Sequence, residues 1–354
     1  MRVFLFVALF LAAVVHATSQ SAPTPLADLP KDPRAVLDMA APFYDFNDPT
    51  LKPWHLKATY QLYDEKGKPT EQGTYEYWWA SPKVYRSTWA RPSASKTDWH
   101  TAEGKHAFKY SGGSLGYYEF KLQDALFSPL PDPSELDPTK SRLDRELEPI
   151  FVGVKSPCVM VVPITPQHEQ IQTAPAGLFP TYCFDTKLPI LRASFSWTSV
   201  SMEFSHIAKV QGKFLPEEIV FLDGKRTILS AKVDKVEGLN PTDAALVPPP
   251  DAKTPSRDKV FISAGVAVGF ITTKQAPVYP QDAKDAGIAG TVVLQAVIGR
   301  DGNIHDLRII STPWPSLAAA SLSAVSHWQY KPYLLNGEPV EVETTINVIF
   351  TLGR

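Results

Sequence analysis

The stretch "PVYPQDAKDAGIAGTVVLQAVIGRDGNIHDLRIIS" (residues 277–311) decides how the end of this 354-residue chain folds. Residues 281–286 are polar and typical of a short helix, which Gly287 would end. Residues 290–298 place apolar side chains at every second position, and Asp301-Gly302 is a strong hairpin signal. The stretch predicts a helix and two antiparallel strands. It contains no nucleophile, metal cage or phosphate loop.

The same architecture continues to the end of the chain. Residues 316–328 carry an apolar stripe and predict a helix, with Ser316 as its N-cap. The last segment alternates, so that one face collects Val340, Val342, Ile346, Val348, Phe350 and Leu352. The order α-β-β-α-β over about ninety residues predicts a helical layer on an antiparallel sheet.

Strand-like runs divided by turn residues fill most of the chain from residue 54 to residue 238. Large side chains recur there at spacings of two: Tyr60, Leu62, Tyr75, Tyr77, Trp79, Tyr85 and Trp89. This period predicts an antiparallel meander with one packed face. A short helix capped by Asp32 precedes the meander, and a more helical segment (residues 115–151) interrupts it. The fold class is therefore α+β.

The net charge of −2 gives no sign of polyanion binding, so we expect no nucleic-acid partner. The apolar run Val3–Val15 has about 13 residues, fewer than the roughly 20 that span a bilayer. Small residues around Ala17 favour a cleaved signal peptide over residues 1–17, with an uncleaved anchor as the alternative. Residues 18–30 are rich in Ser, Thr and Pro and are predicted to be disordered.

Cys158 and Cys183 are the two cysteines of the chain. An even pair in an exported protein favours a disulfide between them. The alternative is two unpaired buried thiols. A metal site would lack its other ligands, and we predict neither a metal nor a cofactor.

The C-terminal pattern resembles the C-terminal domain of the TonB energy-transducer family. The matching residues are Tyr279, Pro280, Ala283, Gly287, Ile288, Gly290, Val292, Asp301, Gly302, Trp328, Tyr330, Pro332, Gly337, Pro339 and Val340. The resemblance implies a periplasmic module that binds the N-terminal segment of an outer-membrane TonB-dependent transporter. In the family that segment adds as a strand to the sheet edge, and an inner-membrane proton-driven motor supplies force. Strand addition depends on main-chain hydrogen bonds and needs no catalytic residues.

The last strand is the predicted docking edge. Its residues are Val340, Glu341, Val342, Glu343, Thr344, Thr345, Ile346, Asn347 and Val348. The two glutamates would discourage indiscriminate pairing. The same strand could instead be an ordinary edge or a homodimer seam. The chain also departs from the family, because a signal-like start and a β-rich domain replace the membrane anchor and Pro-rich rod. Ala276 stands where a glutamine is frequent. These departures weigh against direct coupling to the motor through an N-terminal helix.

Residues 30–250 resemble LolA/LolB-like lipoprotein carriers, by their order of elements and by the ending "PEEIVFLDGKRTILSAKVDKVEGLNPTDAALVPPPDA" (residues 216–252). The resemblance implies a curved half-barrel whose hollow, lidded by a helical insertion, takes a lipid, a lipoprotein or another apolar ligand. The alternative is a concave face that is simply filled. We assign residues 31–246 to this domain, 247–260 to a Pro-rich linker and 261–354 to the TonB-like domain.

Two short matches to catalytic motifs lack their structural context. Gly112–Gly116 fits G-x-S-x-G around Ser114, but its flanks are meander rather than an α/β-hydrolase sheet. Ser93–Lys96 fits S-x-x-K without the motifs that accompany it. The histidines show no H-E-x-x-H. We predict a non-enzymatic protein that docks on a transporter. The alternatives are a carrier of lipid or lipoprotein, and more distantly a hydrolase using Ser114.

Overall fold

The computed structural model describes residues 28–146, 150–151, 154–164, 177–197, 200–255 and 259–352. The predicted signal peptide and most of the predicted disordered segment lie outside these residues. The longest helices of the described chain have 11 residues, and none is long and apolar enough to cross a bilayer. The predicted α+β class is confirmed, with a large antiparallel sheet in the N-terminal domain and a small mixed sheet in the C-terminal one.

The N-terminal domain is built on an open sheet of 12 strands, in the order β5-β4-β3-β2-β1-β14-β13-β12-β11-β10-β9-β6. The strands begin with β1 (Trp54–Tyr63), β2 (Pro69–Ser81), β3 (Val84–Arg91), β4 (Ala94–His100), β5 (His106–Gly112) and β6 (Ser141–Glu146). A separate hairpin pairs β7 (Ile150–Phe151) with β8 (Val154–Lys155). The sheet continues with β9 (Cys158–Pro163), β10 (Thr181–Phe184), β11 (Leu191–Ser196), β12 (Val200–Val210), β13 (Lys213–Asp223) and β14 (Arg226–Gly238).

Two helices lie against this sheet. In α1 (Pro33–Ala40) the Asp32 side chain caps the first turn by accepting from the Arg34 N–H at 3.1 Å. In α2 (Tyr117–Phe127) the Glu119 carboxylate accepts from the Gly116 N–H at 2.6 Å. Among the described residues of this domain there are also three 3₁₀ turns: Ala41–Phe43, Pro133–Glu135 and Ala244–Leu246.

The sheet curves around α2, and its concave face is filled by the protein's own side chains. One hydrophobic cluster joins Trp89 of β3 with Val159 of β9, although seven strands lie between β3 and β9 in the sheet order. Leu122 and Leu126 of α2 are almost fully buried within the cluster. The aromatic residues that sequence periodicity placed on one face lie here, with Tyr60, Tyr75, Trp79 and Trp89 among the largest buried side chains.

The predicted disulfide is present. Cys158 and Cys183 are direct cross-strand partners of β9 and β10, and their sulfur atoms are bonded. Both residues are fully buried in a small cluster with Ala193. The bond therefore joins two neighbouring strands near the β6 edge of the large sheet.

The C-terminal domain contains the predicted α-β-β-α-β core and three elements before it. A four-stranded sheet has the order β15-β22-β17-β18. The elements are β15 (Lys259–Phe261), α3 (Ala264–Val268), β16 (Ile271–Thr273), α4 (Gln281–Asp285), β17 (Gly290–Ile298), β18 (Ile304–Ser311), α5 (Pro315–Val325), β19 (Gln329–Tyr330), β20 (Leu334–Leu335), β21 (Glu338–Pro339) and β22 (Glu341–Phe350). Thus residues 259 and 260, predicted to belong to the linker, form part of this sheet.

The predicted cap of α5 is wrong. The helix begins at Pro315, with Trp314 in the N-cap position, and Ser316 lies within the first turn. Proline is favoured at a first helical position, because its fixed φ suits the helix and no N–H is needed there. The Thr312 hydroxyl accepts from the Trp314 N–H at 3.3 Å, so a residue upstream orders the entry to the helix.

The two domains pack directly against each other. Ala318 and Ala319 of α5 are buried beside Phe179 and Trp197 of the N-terminal domain, in a cluster with Met160 and Val162. Small side chains on this face allow the helix to approach the aromatic rings closely. The apolar stripe predicted for this helix is its other face, where Leu317 and Val325 pack on the C-terminal core.

Polar contacts and the linker add to this interface. The Lys121 ammonium lies 2.5 Å from the Asp306 carboxylate, and the Phe120 and His305 rings are 3.9 Å apart. In the predicted linker, Lys253 and Phe108 exchange backbone hydrogen bonds of 2.9 and 2.8 Å. The linker around Asp251 and Lys253 therefore lies along β5.

Candidate functional site

The predicted docking strand is β22, and its side chains divide between two faces. Those of Val342, Thr344, Ile346, Val348 and Phe350 are buried, whereas Asn347 and Ile349 are exposed and the other odd-numbered residues are half-buried. The inner row packs with α5, α4 and β17 in the domain core. Because a shift by one residue would expose the whole inner row, burial fixes the register of the strand.

The backbone of β22 also has two sides. The Ile262 N–H donates to the Glu343 carbonyl at 3.1 Å, so the polar groups of Glu343 face β15. The backbone N–H and C=O groups of successive residues point to opposite sides of a strand. Those of Thr345, Asn347 and Ile349 therefore face the same outer side as those of Glu343. The even-numbered residues face β17, where Thr344 is the partner of Ala296 and Ile346 of Leu294.

β15 covers the first part of the outer side. It runs parallel to β22, with Lys259 beside Glu341 and Phe261 beside Glu343. In the part of the chain that the structure describes, no strand pairs with Thr345–Ile349 on this side. The outer edge of β22 is therefore paired at its beginning, whereas farther along it is contacted by α3 (Ala264–Val268) but paired with no strand of the described chain. β15 was not predicted from the sequence, because three residues are too few to show a period.

The charges of the two glutamates are partly compensated by this short strand. The Lys259 ammonium lies 3.9 Å from the Glu341 carboxylate and 3.5 Å from that of Glu343. The Gln295 side-chain amide also donates to the Glu343 carboxylate. A neighbouring strand with a basic residue at this position thus suits the edge.

The opposite edge of the sheet lies against the N-terminal domain. This edge is β18, which contacts α2 through the Lys121–Asp306 ion pair and the tilted contact between the Phe120 and His305 rings. Burial opposes ionisation of Asp301, but the hydrogen bond and charge of His305 outweigh it and lower the pKa of the carboxyl. These contacts leave the β22 side as the more accessible edge.

Tyr279 and Trp328 of the family motif hold the segment before α4 in place. The Tyr279 hydroxyl donates to the Ile288 carbonyl at 2.5 Å, and its ring packs edge-on against Phe350. The Trp328 indole N–H donates to the Gln275 carbonyl at 2.8 Å. Both side chains therefore support the fold around the sheet rather than lining its outer edge.

The motif glycines allow close backbone approach. A Cβ on Gly302 would lie 1.9 Å from the Tyr330 carbonyl oxygen, and one on Gly290 would lie 3.1 Å from Pro313. Both glycines have positive φ, at +83° and +143°. Pro280 lies at the N-cap position of α4, where its extended backbone leads into the helix.

The catalytic motifs are placed in structural roles. Ser114 follows the edge strand β5 of an antiparallel sheet, and its carbonyl accepts from the Arg91 guanidinium at 2.7 Å. The Ser93 hydroxyl donates to Glu71 at 2.6 Å, whereas Lys96 pairs with Asp98 at 3.2 Å. Ser114 does lie between β5 and α2, but β5 is the edge strand of an antiparallel sheet and not a strand of an α/β-hydrolase sheet. No group of three or more potential metal ligands occurs among the described residues.

A cavity of about 1020 Å³ lies between the domains. Arg91, Ser114 and Glu119 line it on the N-terminal side, and Asn303 and Trp328 on the C-terminal side. The Glu119 carboxylate accepts from the Tyr60 hydroxyl at 2.6 Å and from Arg91 at 3.1 Å. The polar groups of Glu119, Tyr60 and Arg91 are thus bonded to one another within the protein.

Comparison with known proteins bears on the C-terminal domain. Residues 275–352 match the family model of the Gram-negative bacterial TonB protein C-terminal. This region is a TonB-like domain. It is similar to protein TonB of Vibrio cholerae serotype O1, with 30% identity over 84 residues. The match covers 23% of this chain and 34% of that relative, so the chain spans about a third of its length.

Solved structures resemble the TonB-like domain and the β-rich domain. The C-terminal domain of TonB from Pseudomonas aeruginosa has 26% identity and a TM-score of 0.22, and the match covers 24% of this chain and 86% of that one. A LolA superfamily protein from Nitrosomonas europaea has 7% identity and a TM-score of 0.30, covering 59% and 94%.

Proposed function

We propose that this protein is a periplasmic docking protein of energy-coupled transport. Its TonB-like domain would bind the N-terminal segment of an outer-membrane TonB-dependent transporter, and the segment would add as a strand beside β22. The predicted contact residues remain Val340–Val348, within which Thr345 and Asn347 turn their backbone groups outward. Engagement of an inner-membrane motor is part of the same hypothesis.

The observation that carries the proposal is the open second part of the β22 edge. Thr345, Asn347 and Ile349 turn their N–H and C=O groups to a side where no strand of the described chain pairs with them. An added strand would form hydrogen bonds there, each worth about 1 kcal/mol net. The buried inner row holds β22 in register, so the strand itself requires little ordering when a partner binds.

Peptide titration of the full-length protein tests the proposal. Synthetic peptides from the N-terminal segments of the transporters of the same organism should bind, and isotope-edited infrared or NMR spectra should show a new strand beside Thr345–Ile349. A scrambled peptide of the same composition is the control. Transporter peptides that bind no better than their scrambled versions would exclude this function.

The carrier hypothesis is a separate function of the β-rich domain. Side chains of α2 and the sheet fill the concave face, so an acyl chain would have to displace Leu122 and Leu126. Lipid extraction of the protein purified from envelope fractions, followed by mass spectrometry, tests it. A stoichiometric lipid would favour the carrier, and the TonB-like domain would then serve to dock it.

A further inference from the structure

The segment from Lys259 to Val268, here called the arm, lies along the proposed docking edge from within the same chain. Its strand β15 pairs with Glu341–Glu343, and the Ile262 N–H donates to the Glu343 carbonyl. Its helix α3 then contacts β22 as well. The arm therefore uses the same outer side of the strand that a partner would need.

The arm is packed shallowly for a segment so rich in apolar residues. The exposed fractions of Phe261, Val266 and Val268 are 71%, 47% and 64%. Val260 and Ile262 are partly buried, and Ala267 is the buried residue of α3. Segments with few buried apolar contacts open at a small fraction of the global free energy of unfolding. This packing favours local detachment.

Both ends of the arm are anchored by contacts that do not involve β22. On one side Lys253 pairs with Phe108 of the N-terminal domain through two backbone hydrogen bonds. On the other side the Lys331 N–H donates to the Phe270 carbonyl at 2.7 Å, and Ile271 pairs with Tyr330. The arm can thus leave the edge as a loop while both domains stay folded.

We propose that the arm is a self-inhibitory strand, which occupies the start of the docking edge and must leave before a partner strand can pair with residues 341–349. The regulation rests on the proposed docking function. A partner that replaces the arm would meet Glu341 and Glu343 after Lys259 has left them. We therefore expect the best partner to carry a basic residue at this point, followed by apolar residues.

The first experiment measures the arm itself, without a partner. Ile262→Pro removes the N–H that donates to Glu343, whereas Phe261→Pro removes an N–H that faces away from β22. Both prolines suit an extended chain. In the full-length protein, the Glu343 amide should exchange with solvent about tenfold faster in Ile262→Pro than in wild type or Phe261→Pro. The Thr344 amide, which faces β17, should be unchanged.

The second experiment measures competition for the edge. The same proteins are titrated with the transporter peptides and, separately, with a synthetic arm peptide of residues 256–265 (SRDKVFISAG). Apparent affinity falls with the fraction of molecules whose site is open, so each probe should bind Ile262→Pro about tenfold more tightly than wild type. The matched Phe261→Pro variant should behave as wild type.

The outcomes separate the two proposals. Equal binding to all three proteins shows that the arm does not compete, and it leaves transporter docking intact. If the arm peptide binds Ile262→Pro but not the other two proteins, and the transporter peptides bind none of the three, self-inhibition is supported and the transporter-docking proposal is excluded. If neither the transporter peptides nor the arm peptide binds Ile262→Pro, both proposals are wrong: the arm is not a competitor, and the outer edge of β22 is not a docking site.

Discussion

Gly302 joins the hairpin loop of the TonB-like domain to the segment after α5. The Tyr330 N–H donates to the Gly302 carbonyl at 2.8 Å, and a Cβ at Gly302 would lie 1.9 Å from the Tyr330 carbonyl oxygen. Its φ is +83°, in the left-handed region. Position 302 therefore requires glycine for two reasons: its positive φ, and the lack of space for a Cβ.

Gly302→Ala should therefore lower the free energy of unfolding much more than Gly337→Ala. Gly337 has the same φ of +83°, but a Cβ added there would meet no atom within 4 Å, so it isolates the backbone cost of about 1–2 kcal/mol. The clash at Gly302 should add several times that amount. Urea unfolding of the two variants measures the difference. Equal losses in the free energy of unfolding would show that the backbone at Tyr330 moves away and relieves the clash.

Asp98 in β4 is a partly buried carboxylate with two basic neighbours. Lys96 lies 3.2 Å away and His106 3.0 Å away. Burial alone would raise the pKa of the carboxyl, but these two charges and their hydrogen bonds hold the pKa well below its ordinary range. The ionised form is consequently favoured in the folded protein.

This lowered pKa predicts a specific acid dependence of stability. An Asp in the unfolded chain titrates near about 3.9, so Asp98 stabilises the fold above that pH. The contribution falls as the pH drops from about 5 towards the folded-state pKa. The difference in melting temperature between wild type and Asp98→Asn should therefore be largest at neutral pH and shrink by pH 3. A difference independent of pH would contradict the ionised pair.

At the scale of elements, β22 combines an inner face, an inner edge and an outer edge. Its adjacent residues Thr344 and Thr345 are of one type, but their N–H groups point in opposite directions. That of Thr344 faces β17 and that of Thr345 faces outward. This makes them a matched pair for separating the folding role of the strand from its docking role.

Thr345→Pro should leave the domain folded and weaken peptide binding by about tenfold, equivalent to about 1.4 kcal/mol. Proline is tolerated on an edge whose N–H is outward, and Asn347→Pro should act likewise. Thr344→Pro should instead break the β17 ladder, and Ile346→Asp should unfold the domain by burying a charge. Thermal melts and peptide titration of the full chain check this. If Thr345→Pro also unfolds the domain, docking uses another surface.

At the scale of the whole molecule, α5 serves two interfaces at once. One face packs on the sheet of its own domain, and the face with Ala318 and Ala319 packs on Phe179 and Trp197. Together with Lys121–Asp306, this contact joins the two domains on the side opposite to the docking edge.

Ala318→Glu should separate the domains without unfolding them. A carboxylate at this buried position would lose its hydration unless the interface opens, and opening returns it to water. Ser323→Glu, on an exposed position of the same helix, is the control. We expect a larger radius of gyration by small-angle scattering and two calorimetric transitions for Ala318→Glu alone. Unchanged dimensions would mean that the interface absorbs the charge.

Local periodicity was sufficient to predict the longer strands and helices of this protein, but residues 115–151, expected to be more helical, also contain the strands β6 (Ser141–Glu146) and β7 (Ile150–Phe151). The alternation in β17 and β22, the Asp-Gly turn and the cap at Asp32 depend on neighbours within a few residues, and all three are present in the structure. The pairing of Cys158 with Cys183 followed from their number and the export signal. The N-cap of α5 was mispredicted at Ser316, because Pro315 can begin a helix without any N–H to cap.

The sequence by itself determined which side chains of β22 point inward, because burial of every second residue leaves one register. It could not determine how much of the outer edge is free. That depends on Lys259–Phe261, a strand too short for a period, which is placed by pairing with residues about eighty positions later. Likewise, Ala318 and Ala319 lie outside the apolar stripe of α5. They form an interface only because Phe179 and Trp197 of the other domain pack against them. Contacts between distant segments, which no local pattern records, decided what this domain leaves exposed.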